Sequence, residues 1–171
     1  MILGVTAALS SPSVAGQTRP PLAPKSLLTE LDKEDRDCVV NNGGLTKNVT
    51  VESIKLTLKT PQILVKGSGV CLCGAQNCGF WIYQQKGNHA ELLLKGAGAT
   101  KVTPGQHFSK GYRDVISESH ASAIENIIRA YRYDGSRYQL QKCVSRSFFD
   151  NSGKQTNLPL ERPCEEKPKL Q

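Results

Sequence analysis

The stretch 125–144, ENIIRAYRYDGSRYQLQKCV, indicates a β-hairpin and decides the fold class of the chain. Residues Glu125–Tyr133 and Arg137–Val144 flank Asp134-Gly135, a dipeptide that favours a two-residue type I′ turn. This turn predicts Tyr131 opposite Tyr138 and Arg132 opposite Arg137. One face of the hairpin then carries apolar and aromatic side chains, namely Ile127, Tyr131, Tyr133, Tyr138 and Leu140.

Five further strands are predicted before the hairpin, because alternating apolar and polar residues are separated there by turn residues. They are Ser53–Leu58, Gln62–Gly67, Phe80–Gln85, Ala90–Leu94 and Arg113–Ser117, with Thr100–Thr103 as a further short candidate. Leu27, Leu28 and Leu31 share one side of a short helix that starts at Ser26 and runs to Val39. The sequence therefore predicts an α+β fold, mainly one antiparallel sheet of about six strands with a short N-terminal helix.

The length of 171 residues favours a single domain. Residues 1–15 resemble a secretory signal peptide truncated at its start, since an apolar stretch and the small residues Ser13-Val14-Ala15 follow Met1 without a basic segment. A structureless N-terminus is the alternative. Residues 16–26 are rich in proline and indicate a linker, 27–147 form the globular domain, and 148–171 form a tail tied by Cys164.

Six cysteines, an even number, indicate disulfides and an oxidising compartment. Cys73 and Cys78 are the best pair, because Gly74 and Asn77 suit the tight turn between them. Cys143–Cys164 would hold the tail, and Cys38–Cys71 would remain, although fifteen pairings are formally open. The competing interpretation is a zinc or copper site at Cys71, Cys73 and Cys78, completed by His89, His107 or His120. The spacing matches no common zinc motif, so no metal or other cofactor is predicted.

The formal charge of +7 is unevenly distributed. Basic residues dominate 129–146, and Arg129, Arg132 and Arg137 are candidate ligands for an anionic partner. The alternative is a solvated hairpin face. A mean hydropathy of -0.37 and the ordinary apolar content argue against wholesale disorder and against a membrane-spanning helix.

Two aromatic residues, Trp81 and Tyr83, are further binding candidates, because they share one face of a predicted strand. The alternative is a central strand that is covered on both faces by the core.

A catalytic site is less well supported. The chain has no Gly-x-Ser-x-Gly motif. Asp114, Glu118 and His120 alternate onto one side of a strand and form the candidate acid–base cluster of a small hydrolase. Three polar residues on an outer strand face give the same pattern, so an enzyme is not the favoured interpretation.

Several motifs resemble a group of small exported bacterial proteins. They are Cys73-Gly-x-x-x-Cys78, Gly111-Tyr-Arg-Asp114, Tyr131-Arg-Tyr-Asp-Gly135 with Tyr138, and the closing Cys143. The resemblance covers about residues 71–143 and implies export and a β-rich domain, but no activity. The acidic loop that often precedes the cysteine motif in that group is missing, so calcium binding is not predicted.

These observations predict a secreted or periplasmic, non-enzymatic binding module, for example an inhibitor of an envelope or extracellular enzyme. The alternatives are the hydrolase described above and an envelope structural protein that contacts anionic polymers. The expected partner is a protein or an anionic polymer rather than nucleic acid, and the oligomeric state is open. A basic lysozyme is disfavoured as the partner, because the two proteins would repel each other.

Overall fold

The computed structural model describes residues 23–150 and 152–164. The predicted signal peptide 1–15 and most of the predicted linker lie outside the described residues. Three helices begin the described chain: α1 (Leu27–Glu30), α2 (Lys33–Asn41) and α3 (Leu45–Asn48). The predicted single helix is interrupted because Asp32 has extended backbone and accepts a 2.9 Å hydrogen bond from Asp35 N, which caps α2. In the described ranges, no helix is long and apolar enough to cross a membrane.

Ten antiparallel strands in the described ranges form two five-stranded sheets. The first sheet has the order β1-β2-β4-β3, with β5 also paired to β4, and the second has the order β10-β9-β8-β7-β6. The strands are β1 (Val49–Ile54), β2 (Gln62–Gly67), β3 (Cys73–Gly74), β4 (Asn77–Lys86), β5 (His89–Ala99), β6 (Lys101–Ser109), β7 (Tyr112–Ser122), β8 (Glu125–Tyr133), β9 (Tyr138–Phe149) and β10 (Gln155–Pro163). The mainly antiparallel character is confirmed, whereas the single sheet of about six strands is wrong.

The two sheets are connected where β5 passes into β6. Thr100 separates these strands, and its N–H donates a 2.8 Å hydrogen bond to Glu118 O of β7. The chain therefore leaves the first sheet and joins the second without an intervening loop, as strands do at the corner of a folded sheet. The sequence pattern is weak here because Gly96 and Gly98 reduce strand propensity.

Three disulfides fasten the fold, and they are the predicted pairs Cys38–Cys71, Cys73–Cys78 and Cys143–Cys164. The alternative zinc or copper site is wrong, because a disulfide sulfur is not a thiolate ligand. The last disulfide fastens β10, a strand that the sequence analysis assigned to a tail.

Two apolar clusters pack on opposite faces of the first sheet. Phe80 and Ile82 face the second sheet and pack with Tyr131. Trp81 and Tyr83 point to the other face, where they pack with Leu27 and its helical neighbours. Trp81 is 4% exposed and Tyr83 is 1% exposed, so the prediction that they are surface anchors is wrong and the core alternative is correct.

Candidate functional site

Four connecting segments meet at one end of the two sheets. We call residues 55–61, 84–89, 107–113 and 134–137 the loop end. Arg113 N donates to Leu56 O at 2.7 Å, and Ser109 Oγ donates to Tyr133 O at 3.0 Å. Lys110 Nζ donates to Asp134 O. These bonds join segments from both sheets, so the loop end is a braced surface rather than a set of independent loops.

A cleft of about 400 Å³ opens at the loop end. This volume lies in the range of small-ligand pockets, which is about 300–1,000 Å³. Two large apolar side chains are open to solvent there, since Leu58 is 80% exposed and Phe108 is 45% exposed. The lining residues are Thr57, Leu58, Lys59, Thr60, Gln84, Phe108, Gly111 and Tyr112.

Tyr112, which lines the cleft, belongs to a cluster of three packed tyrosines. The ring centroids of Tyr112 and Tyr133 are 4.1 Å apart, and those of Tyr133 and Tyr138 are 5.5 Å apart. Tyr138 is buried, which raises the pKa of its phenol, and its hydroxyl donates to Arg113 O at 2.8 Å. The Arg113 guanidinium lies 4.8 Å from the centre of the Phe108 ring. These contacts fix the aromatic wall that the cleft presents to a ligand.

The loop end is strongly basic. Its segments contain six lysines and arginines but only one acid, Asp134. The basic residues are Lys55, Lys59, Lys86, Lys110, Arg113 and Arg137. Glu91, outside these segments, lies 2.6 Å from Lys86 Nζ and neutralises one of them. Of the six, Lys59 lines the cleft, and we call the six basic residues of the loop end together the basic rim.

The carboxylate of Asp134 accepts hydrogen bonds within its own turn. Its Oδ1 accepts hydrogen bonds from Ser136 N at 2.8 Å and from Arg137 N at 2.9 Å, and its Oδ2 accepts one from Gln139 at 3.1 Å. The backbone donors hold the pKa of this carboxyl well below its usual range. The carboxylate is thus occupied by its own loop.

This turn also corrects the predicted hairpin register. Tyr133 pairs with Tyr138 across a loop of four residues, and Arg132 lies opposite Gln139. The predicted pair of Arg132 and Arg137 is wrong, because the Asp134 side chain closes a longer turn than the two-residue type.

The three candidate arginines lie in different environments. Arg132 Nη2 is 3.4 Å from Asp114 Oδ2, and Arg129 Nη1 donates to Ser119 Oγ at 2.9 Å. Of the three, only Arg137 belongs to the loop end. The three arginines therefore differ in their local partners, and their role in binding stays a prediction.

The proposed acid–base cluster is dispersed along β7. Asp114 and His120 are six residues apart, which is about 20 Å in an extended strand. Asp114 is buried against Arg132, and His120 Nδ1 is 2.7 Å from Asn126 Oδ1. Asp114, Glu118 and His120 therefore do not meet at one reacting atom. Among the described residues, no three or more His, Cys, Asp or Glu side chains are grouped to hold a metal ion.

The cleft does not coincide with any site predicted from the sequence. Leu58 was assigned to the end of a strand, but β1 ends at Ile54 and Leu58 lies in the following loop. The surrounding residues Thr57-Leu58-Lys59-Thr60-Pro61 carry a turn signal that could have exposed this error. Phe108 and Tyr112 meet Leu58 only through pairing between distant segments, which local pattern does not specify.

Comparison with known proteins adds no family to this description. No protein-family model, curated protein or solved structure matches the chain. The loop end, with its braced surface, open apolar cleft and basic rim, is therefore the candidate functional site.

Proposed function

We propose that the protein is a non-enzymatic binding protein of an oxidising compartment outside the cytoplasm, and that its loop end binds an acidic surface of a partner protein. Three disulfides favour this compartment, because such bonds persist where thiols are not kept reduced. The resemblance to small exported bacterial proteins implies the same location. An inhibitor of an envelope or extracellular enzyme belongs to this class of protein.

The observation that carries the proposal is the coincidence of the apolar cleft with the basic rim. An interface gains most of its free energy from a few buried apolar anchors surrounded by polar contacts. Leu58 and Phe108 offer such an anchoring surface, while Lys59 at the edge of the cleft attracts carboxylates and orients the approaching partner. The hydrogen bonds between loops lower the entropic cost of ordering this surface on binding.

A protein fits this surface better than a simple anionic polymer does. A polyanion satisfies the rim through charge alone and leaves Leu58 and Phe108 exposed to water. A protein loop supplies carboxylates and an apolar side chain together, so that the cleft is covered as well. The two kinds of partner therefore differ in how binding responds to salt, because only the electrostatic part is screened.

The test uses a short peptide with a central phenylalanine among glutamates, labelled for fluorescence anisotropy. Lys59→Glu should weaken binding about fivefold, because one weak surface attraction becomes a repulsion of similar size. Lys142→Glu is the matched control: it makes the same charge change on β9, outside the loop end, and should leave the affinity nearly unchanged.

Two further peptides decide the outcome. An all-glutamate peptide without phenylalanine should bind more weakly and lose its binding at about 0.5 M salt. Equal binding of the two acidic peptides would favour the anionic-polymer alternative. The proposed site would be refuted if a peptide with lysine in place of glutamate bound as tightly as the original phenylalanine peptide. It would also be refuted if Lys59→Glu and Lys142→Glu changed the affinity equally.

A further inference from the structure

The orientation of one side-chain amide at the base of the cleft is determined by a buried neighbour. Gln62 is fully buried at the start of β2. Its Oε1 accepts a 2.9 Å hydrogen bond from Leu56 N, and its Nε2 donates a 2.8 Å bond to Thr60 O. A backbone N–H only donates and a backbone carbonyl only accepts, so these partners define which end of the Gln62 amide is oxygen and which is nitrogen.

Gln62 in turn orients Gln84. The Nε2 of Gln62 also donates to Gln84 Oε1 at 2.8 Å, and the Tyr112 hydroxyl donates to the same oxygen at 3.3 Å. Reversing the Gln84 amide would place two donors against each other. The amide oxygen of Gln84 therefore accepts from Gln62 and Tyr112, and its NH₂ group donates to other acceptors.

The NH₂ group of Gln84 is poorly satisfied within the protein. Its bonds to Gln85 O and Thr60 Oγ1 measure 3.3 and 3.5 Å, beyond the usual N–H···O range of about 2.7–3.2 Å. Gln84 is half-buried and lines the cleft. The cleft thus combines aromatic and aliphatic walls with a hydrogen-bond donor that can gain from a better acceptor.

We propose that the side chain inserted into the cleft by the acidic partner is a tyrosine. Its ring packs against Leu58 and Phe108, its phenolic oxygen accepts a hydrogen bond from Gln84 Nε2, and neighbouring carboxylates of the partner meet the basic rim. This inference rests on the proposed function and specifies the chemistry of its ligand. Gln84 is then a specificity-determining residue, because a phenylalanine would leave its donor with only the long internal bonds.

The experiment compares two acidic peptides that differ only in a central tyrosine or phenylalanine. The full-length oxidised protein should bind the tyrosine peptide about fivefold more tightly, the effect of one net hydrogen bond. Gln84→Met should bring the tyrosine-to-phenylalanine affinity ratio to about one, because methionine retains the length of the side chain without the donor. Gln85→Met, an exposed neighbour on the same strand, should preserve the ratio.

The ratio separates a loss of recognition from a loss of folding, since a general loss of active protein affects both peptides equally. Tyr112→Phe provides a second variant: it removes one of the two donors to Gln84 Oε1 while Gln62 Nε2 still donates to that oxygen, so the tyrosine preference should fall only in part. Equal affinities for the two acidic peptides in the unmodified protein would overturn the tyrosine inference and leave the proposed function standing. Failure of both peptides to bind would overturn both.

Discussion

Replacing Gly96 with alanine tests the packing that joins the two sheets. Gly96 on β5 lies opposite Phe80 on β4, and a Cβ atom at position 96 would be 1.9 Å from Phe80 Cζ. The Phe80 ring is fully buried and meets Tyr131 of the second sheet edge-on, with 6.4 Å between the ring centroids. A displacement of the ring that relieves the clash would therefore disturb a packed core and its contact with the second sheet.

The structure gives the expected size of the effect. Overpacking a core costs typically about 1–3 kcal/mol, and losing a buried phenyl ring altogether costs about 3–5 kcal/mol. A contact as short as 1.9 Å requires a ring displacement, so Gly96→Ala should lower the free energy of unfolding by about 3 kcal/mol. For a domain of this size, the Tm should fall by roughly 6–12 °C, measured by calorimetry on the oxidised protein.

Gly74→Ala is the matched control, because no atom lies within 4 Å of a Cβ built at that position. Its stability should stay within about 0.5 kcal/mol of the unmodified protein. Phe80→Leu should cost less when combined with Gly96→Ala than alone, since a smaller side chain relieves the clash. A Gly96→Ala protein as stable as Gly74→Ala would refute the described packing of Phe80 over β5.

Two other predictions concern the turn at the loop end and the disulfides. Asp134→Ala should lower the urea midpoint near neutral pH. The difference in midpoint between the variant and the unmodified protein should shrink below pH 3.8, the ordinary pKa of the carboxyl group. The reason is that the folded state lowers the pKa of Asp134, so the stability that its carboxylate contributes is lost as the pH falls towards the folded-state pKa. A difference independent of pH would contradict this role. Urea unfolding should show that replacing Cys38 and Cys71 with serine costs about 4 kcal/mol, against about 2 kcal/mol for Cys73 and Cys78, because the first pair closes a longer loop; the reverse order would contradict loop closure as the dominant effect.

Local pattern was sufficient to predict several elements of the fold. The bounds of β2 were predicted as observed, because a regular run lies between turn residues. The hairpin strand β8 was also located correctly. By contrast, the division into two sheets depends on the bend at Thr100, which is stabilised by Glu118 of a strand that follows later in the chain. A hydrogen bond between distant segments leaves no periodic signal.

The surroundings of the predicted site residues also depend on contacts between distant segments. Sequence alternation placed Arg132 on the surface, but it could not show that Asp114 of the adjacent strand would bind it. Alternation also left Trp81 and Tyr83 equally compatible with an exposed face and with a central strand, and the packing of α1 and α2 on that face decided between them. The partner of a side chain is thus a property of sheet order, which the sequence pattern did not determine.

The pairing of charges within the second sheet gives the loop end its electrostatic importance. Arg132 is bound to Asp114, and Arg146 lies 2.6 Å from Glu161, so two basic side chains of the sheet have local counter-charges. The loop end has six basic residues, and the carboxylate of its only acid, Asp134, is engaged within its own turn. The loop-end segments therefore carry an excess of positive charge, and Lys59 places part of it at the apolar cleft. An acidic partner would be attracted to this end before contact, and the cleft would then determine which side chain is retained.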